Sequence, residues 1–409
     1  MRVRSQGLGF ARGWDFWGTI GSPRHVCAPM VDQSELPFRL LCKEFGVGLC
    51  YTPMIHSRLF CEHATYREVH FDVHESEGPV FAQLAGNSPD VLLAAARRVE
   101  PYVDAVDLNF GCPQQIAKKG RYGAFLLDEP DLMVSLVGTL TRGLEVPVTA
   151  KLRMLPGPVE ATVELCRRLE EAGASVLCLH GRTREQNKQR SGAASWDAIQ
   201  KVVERVGVPV IANGGIATCD DVEACLEHTG AAAVMSSEAL LENPGVFCRN
   251  VHPKSGSYLD QHAMARAYLQ LAEAHRPTKG NAMLRPHLFK MLHRGLQQHV
   301  ELREALLTAN DLDASRAVVE ELEVRGWDQP HFHTPHYRPE LSWYHRYQQS
   351  GSALDAPQPT CADATALLPS RDELAASALA KRRKRQESRK KMYARRREAK
   401  ARARSHIEM

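Results

Sequence analysis

The sequence predicts an α/β protein: a (β/α)8 TIM barrel followed by a small helical domain and a disordered basic tail. Three observations carry this. Eight short apolar or β-branched runs recur over about 220 residues, starting at His25. Amphipathic segments separate most of them, so strand and helix alternate. From about Tyr258 the strand signals stop, only helical patterns follow, and the chain closes on a basic run. The strand runs are almost continuously apolar, as strands covered on both faces must be. An open doubly wound sheet is the rival fold, and the lack of a G-x-G-x-x-G after the first strand weighs against it.

Taken in order, residues 1–24 read as an N-terminal extension. "MRVRSQGLGFARGWDFW" is interrupted by Arg4, Arg12 and Asp15, so it has no secretory apolar core; its arginines leave organelle targeting as a lesser reading. The barrel is expected over 25–252. Its strands are "HVCAPM" (25–30), "GLCYTPM" (48–54), "VFAQLAG" (80–86), "AVDLNFG" (105–111), "PVTAKLR" (147–153), "SVLCLHG" (175–181), "PVIANGG" (209–215) and "AAAVMSS" (231–237). Of the helices between them, "PDVLLAAARRV" opens on Pro89, which suits a first helical turn. "VEATVELCRRLEEAG" aligns Val159, Val163, Cys166 and Leu169 on one face and stops at Gly173. "SWDAIQKVVERVG" and "CDDVEACLEHTG" also stop at glycine. A helical domain spans 253–326, with helices over "QHAMARAYLQLAEA", "PHLFKMLHRGLQQHVELREALL" and "ASRAVVEELEVRG". A linker covers 327–370, small and polar from 350, and a basic tail covers 371–409.

Composition excludes several classes. No apolar run approaches the ~18 residues of a membrane helix, so no membrane association is expected. The eleven cysteines form no C-x-x-C pair and no zinc spacing, and a reducing compartment is the simplest setting. "HFHTPH" (331–336) offers three histidines, but with Pro335 and no neighbouring carboxylate it reads as a solvated loop, and no metal site is expected. Net charge is +4, yet residues 381–404 carry fourteen Lys/Arg against two Glu, a net +12, which leaves the rest near −8.

The chemistry of such a barrel sits at the C-terminal ends of its strands. There the sequence places Pro29 and Met30, Gln83, Asn109 and Cys112, Lys151, His180 and Arg182, and Asn213-Gly214-Gly215. Singly, each has a plain reading: a tight turn, a solvated lysine, a structural histidine, a cysteine as filler. Together, polar groups from many strands converge on one rim, which a purely structural barrel does not require. The glycines of "NGGI" let backbone N–H groups approach an anion ahead of the helix that Thr218 begins.

"APMVDQSELPFRLL", "AQLAGN", "VDLNFGCPQQIAKKGRYGA", "KLR", "HGRTREQ" and "ANGGI" resemble, in this order, the tRNA-dihydrouridine synthases. The likeness covers about Val26 to Phe247, with weaker helical likeness to about Gly326. "MVDQSE" is most similar to the eukaryotic branch that modifies positions 16 and 17 of the tRNA D-loop. The resemblance implies FMN, NADPH or NADH as reductant, and saturation of the C5–C6 bond of a uridine in tRNA. It implies hydride delivery to C6, with Cys112 as the acid for C5 and the segment 114–121 as its lid. By the same likeness Pro29, Met30 and Val31 line the flavin, Gln83 and Lys151 hold its ring, and His180 lies near the ring or the uracil. Asn213, Gly214 and Gly215 take the ribityl-phosphate side. Asn109 faces the pyrimidine and Arg182 meets RNA or phosphate.

One departure stands out: Ser237-Glu238 occupies the place where many members have Gly-Arg, so Ser237 donates toward the phosphate while Glu238 must turn away or bind something else. Given a tRNA substrate, the helical domain is the candidate for tRNA contact through Arg285, His287, Lys290, His293 and Arg294, although amphipathic packing explains its apolar positions equally well, and the basic tail reads as an RNA arm, a nuclear import signal or a solvated extension. The resemblance implies a cytoplasmic or nuclear setting and no obligate protein partner. The alternatives are an FMN barrel dehydrogenase acting on a free pyrimidine, and a non-catalytic RNA-binding barrel.

Overall fold

The structure, a computed structural model, describes residues 11–187 and 191–347. Its strands are β1 (His25–Cys27), β2 (Leu49–Tyr51), β3 (Ile55–His56), β4 (Val80–Ala85), β5 (Ala105–Phe110), β6 (Val148–Met154), β7 (Ala174–Thr183), β8 (Val210–Asn213) and β9 (Ala233–Ser236). All pairings among them are parallel, in the order β2-β1-β9-β8-β7-β6-β5-β4-β3, and a further β2–β4 pairing closes the cylinder. β2 and β3 form one stave, since Cys50 pairs with Val80 and Ile55 with Leu84. Pro53 lies in the gap between them, where the missing N–H costs no ladder bond. The barrel therefore has eight staves, and every expected strand run holds one.

Helices return along the outside at Pro89–Val99, Pro130–Gly143, Val159–Glu171, Trp196–Val203 and Cys219–Thr229. Pro89 occupies the first turn, and Thr218 with Asp221 forms a capping box on the last of these. The buried stripe of Val159–Glu171 is Thr162, Leu165, Cys166 and Leu169, so Val159 and Val163 lie at its edge rather than at its centre.

The lumen is apolar below and polar above. Its lower layers hold Val26, Leu49, Phe81, Ala105, Val176 and Ala233, and Phe16 and Trp17 join this cluster with 2% exposure each. Both come from the helix Gly13–Thr19, and Phe16 stacks on Phe81 at 5.8 Å. Residues 11–24 are therefore more than an extension, since this helix supplies two aromatic side chains to the barrel interior. Burying them at the N-terminal ends of the strands keeps water out of the cylinder's lower end.

Beyond the barrel, five helices occupy the region where three were expected: Gln261–Ala274, Asn281–Met291, His293–Gln298, Val300–Thr308 and Leu312–Arg325. The expected helix over 286–307 breaks at Leu292 and His299, where ψ leaves the helical range. At Gly295 a Cβ would come within 2.8 Å of the Trp327 ring, so this turn is shaped by close packing. Tyr268 donates to Glu35 at 2.6 Å, and His287 Nε2 lies 3.0 Å from the same carboxylate, joining these helices to the barrel.

The stretch 327–347 packs rather than spans. Trp327 donates to His262 at 2.6 Å, Phe332 is buried, and Ser342 donates to the buried Glu242. The sequence expectation of a linker from 327 fails here because irregularly spaced aromatic residues show no period, yet Trp327, Trp343 and Tyr344 pack against the core; within "HFHTPH", His331 and His336 are exposed as expected while Phe332 is buried. His333 is drawn into the same packing, and burial pushes its pKa down to about 4. The remainder of the linker and the tail lie outside the described residues.

Candidate active site at the C-terminal rim

The polar layer of the lumen begins at Asp107, fully buried on β5. It accepts from Gln83 Nε2 at 2.8 Å and from Thr149 Oγ1 at 2.7 Å. Burial pushes its pKa up to about 6 despite those two bonds and the nearby Lys151. Gln83 is thereby fixed: its amide N–H points to Asp107, and its Oε1 accepts from Asn109 Nδ2 at 2.7 Å. Asn109 Oδ1 in turn accepts from the N–H groups of Gly111, at 3.2 Å, and Cys112, at 3.0 Å. A chain of oriented amides thus runs from the barrel centre to the cysteine. The structure makes Asn109 a support of the Cys112 turn.

Cys112 is partly buried beside Met54, Ala117, Tyr122 and Phe125. Ala124 N–H donates to the Cys112 carbonyl at 3.0 Å, and Gly123 lies so close that a Cβ there would meet the Cys112 Cβ at 3.0 Å. The glycine, at φ +67°, is needed for this approach. Burial pushes the thiol pKa above its ordinary range, and Arg153 and Lys151 only partly offset it. Residues 115–120 form a short helix that Arg121 ends in a left-handed conformation, with Ile116, Lys118 and Lys119 exposed.

Across β6 the rim becomes cationic. Lys151 donates to Asn213 Oδ1 at 2.8 Å, and Asn213 Nδ2 donates to the Met235 carbonyl at 3.0 Å. Arg153 donates to the carbonyls of Gly111 (2.9 Å), Thr183 (2.9 Å) and Gln186 (3.1 Å), tying the loop after β5 to the loop after β7. Arg182 Nη1 lies 3.1 Å from His180 Nε2. Burial and the three cations Arg153, Lys151 and Arg182 hold the His180 pKa well below its ordinary value. His180 is therefore neutral at physiological pH, and its Nε2 accepts from Arg182.

A cavity of about 1160 Å³ opens on this side, lined by Arg153, His180, Arg182, Asn213, Gly214 and Gly215 together with Ser237, Glu238 and residues of the loops after β7 and β8. It lies slightly above the ~300–1,000 Å³ typical of ligand sites. Gly214 and Gly215 adopt φ of +104° and +83°. A Cβ on Gly214 would stand 2.9 Å from the His180 ring, and one on Gly215 3.1 Å from Trp196 Nε1. Trp196 also donates to the Gly214 carbonyl at 3.1 Å, so the floor of the cavity is bare backbone. Ala217 and Thr218 N–H groups are already taken by Asp221, at 2.9 and 2.7 Å. Asp221 thus occupies these two N–H groups ahead of the helix, while the glycines and Arg182 remain on the lining for an anion.

The residues expected from sequence are therefore gathered on one rim in two groups. Gln83, Asn109 and Cys112 form one, and Lys151, His180, Arg182, Asn213, Gly214 and Gly215 the other. Gln83, Asn109, Cys112 and Lys151 do not line the cavity themselves; Arg153, which does, binds the carbonyl of the residue before Cys112. Pro29, Met30 and Val31 follow β1 outside the cavity lining, with Val31 exposed. Sequence reasoning passed over Asp107, Arg153 and Trp196, whose roles depend on partners far along the chain. Among the expected RNA contacts, His287 is fully buried, stacked on Phe38 at 4.4 Å, and cannot reach a ligand.

A closed parallel barrel with a cluster of polar side chains at its C-terminal rim has the form of a TIM-barrel ligand site. The sequence profile of the dihydrouridine synthase (Dus) family matches residues 26–324, and the chain belongs to that family. A mouse protein named tRNA-dihydrouridine(16/17) synthase [NAD(P)(+)]-like is 43% identical over 317 residues, 77% of this chain and 65% of that one. The chain thus spans 65% of that relative's length. The Schizosaccharomyces pombe tRNA-dihydrouridine(16/17) synthase [NAD(P)(+)] is 39% identical, covering 76% of this chain and 81% of its own. A human protein named tRNA-dihydrouridine(20a/20b) synthase [NAD(P)+]-like is 37% identical over 54% of this chain and 70% of its own. Among the described residues no helix is long and apolar enough to cross a membrane.

Proposed function

We propose that this protein is an FMN-dependent tRNA-dihydrouridine synthase that reduces the C5–C6 bond of D-loop uridine 16 or 17 with NADPH or NADH. The observation that carries the reading is Cys112. Burial raises its thiol pKa, and the Asp107–Gln83–Asn109 chain holds its backbone at the strand end. A general acid needs both a proton at working pH and a fixed position.

The residues present suit FMN. The glycine floor admits a polar chain against bare backbone, Arg182 supplies charge for a phosphate, and Lys151 places an ammonium at the barrel mouth. When bound, FMN supplies the hydride that uracil C6 accepts. Lys151, though burial lowers its pKa, would supply positive charge at the barrel mouth, and neutral His180 would offer a polar group without adding charge. Cys112 Sγ holds the proton that C5 takes. Arg153 keeps the loops after β5 and β7 in place around them. Names of the 16/17 relatives attach to matches of 76–77% of this chain, against 54% for the 20a/20b relative, which favours position 16 or 17. The exposed cations Lys118, Lys119 and Arg121 beside Cys112 suit a phosphate backbone.

The test is Cys112→Ala. It is expected to retain flavin and its reduction by NAD(P)H while dihydrouridine formation on tRNA falls about 10²–10⁴-fold, the range for loss of a general acid. Near-full turnover in that variant would refute the acid role. Equal activity on free uracil would instead point to a pyrimidine dehydrogenase.

A further inference from the structure

One wall of the rim cavity comes from far along the chain. Tyr337, Pro339, Tyr344 and His345 line it together with Gly214 and Gly215. They belong to a strap that returns to the barrel after the helix Leu312–Arg325. Its anchor is Glu242, at the end of the short helix after β9 and only 2% exposed. The Glu242 carboxylate accepts from Ser342 Oγ at 2.6 Å, Trp343 N–H at 2.6 Å and Tyr344 N–H at 2.9 Å. Three donors on one buried carboxylate make a charge-assisted clasp, and leaving that carboxylate without them would be costly. Tyr337 Oη and His345 Nε2 are 3.2 Å apart, which ties the two ends of the strap together. Lys290 lies over the Trp343 ring at 5.5 Å.

The strap also answers an electrostatic problem in the cavity. Glu238 places a carboxylate on the cavity lining near Arg182, whose pKa burial lowers and Glu238 raises in part. An anion entering here meets an arginine already partly balanced. Further donors would help, and the strap carries a phenol and an imidazole to the cavity wall. We propose that residues 337–345 are a wall of the cofactor site, clasped by Glu242, with Tyr344 and His345 donating to the phosphate end of the bound flavin nucleotide. This rests on the flavin reading above.

Flavin-stripped full-length protein titrated with FMN and with riboflavin, following flavin fluorescence, tests it. Tyr344→Phe and His345→Ala are expected to weaken FMN about tenfold, which is 1.4 kcal/mol, and to leave riboflavin binding unchanged. Glu242→Gln, which loses an acceptor and frees the strap, is expected to weaken FMN at least as much. Removal of residues 348–409 is expected to leave FMN affinity as it was. Unchanged FMN affinity in Tyr344→Phe and His345→Ala overturns the proposal, as does equal weakening of FMN and riboflavin in them. An FMN loss on removing 348–409 as large as that of Glu242→Gln also overturns it. If wild-type protein binds neither flavin, the flavin reading itself falls.

Discussion

Asp107→Asn separates the stability of this barrel from its chemistry. Asp107 is fully buried, accepts from Gln83 and Thr149, and titrates near 6 in the fold. An unfolded aspartate titrates near 4, so the native state binds this proton about two units more tightly, a difference of about 3 kcal/mol at ~1.4 kcal/mol per unit. The charged form opposes folding. Stability from this group is absent above pH 6 and grows as pH falls through 6 toward 4. About half of it, roughly 1.5 kcal/mol, is gained between pH 8 and pH 5.

Asparagine cannot titrate, so the stability difference between variant and wild type must change by that amount over the same pH span. At pH 8 the variant escapes the buried charge but presents its amide N–H to the Gln83 amide, a mismatch costing about 1–3 kcal/mol. The two effects nearly cancel, and only the pH dependence stays visible. Urea unfolding followed by tryptophan fluorescence at pH 5, 6.5 and 8 measures it. Parallel pH curves for the two proteins would show that Asp107 carries no shifted proton. The variant should also turn over more slowly on tRNA, because a reoriented Gln83 lets go of Asn109, which holds the Cys112 turn.

Further tests follow from the same geometry. Trp17→Ala should destabilise the fold by about 3–5 kcal/mol, as for other buried aromatics, and a change under 1 kcal/mol in denaturant would mean the N-terminal helix is not part of the core. Gly214→Ala forces a side chain at φ +104° to within 2.9 Å of His180. Its flavin affinity should fall at least tenfold, and an unchanged titration would remove the glycine floor from the site. Deleting 381–409 takes away a net +12 within 381–404 and should flatten the salt dependence of tRNA binding, since each phosphate contact contributes about one unit to the log–log slope. An unchanged slope would show that the tail makes no phosphate contacts.

How much of this was legible beforehand follows from the range of each signal. The strand at 105–110 announces itself by an apolar run ending at Gly-Cys-Pro, and the helix at 219–229 by Thr218, Asp221 and a closing glycine. These are neighbours in the chain. Asp107 gave no such warning: one acid in an apolar strand reads as a flaw until Gln83 and Thr149 are seen beside it. Trp17 and Tyr344 were equally silent, because an aromatic in an aperiodic stretch carries no sign of what it covers. His287 misled in the opposite direction, its basic neighbours suggesting a surface that the fold buries.

The chain alone thus settled the alternation of strand and helix, the residues at each strand end and the family likeness, since backbone period, turn chemistry and motif order are local properties. Folding in three dimensions decided which amide orients which, where positive charge accumulates, and that a segment beyond residue 327 would return to wall the cavity. Those outcomes depend on contacts between residues separated by tens to hundreds of positions, and no short window of sequence contains both partners.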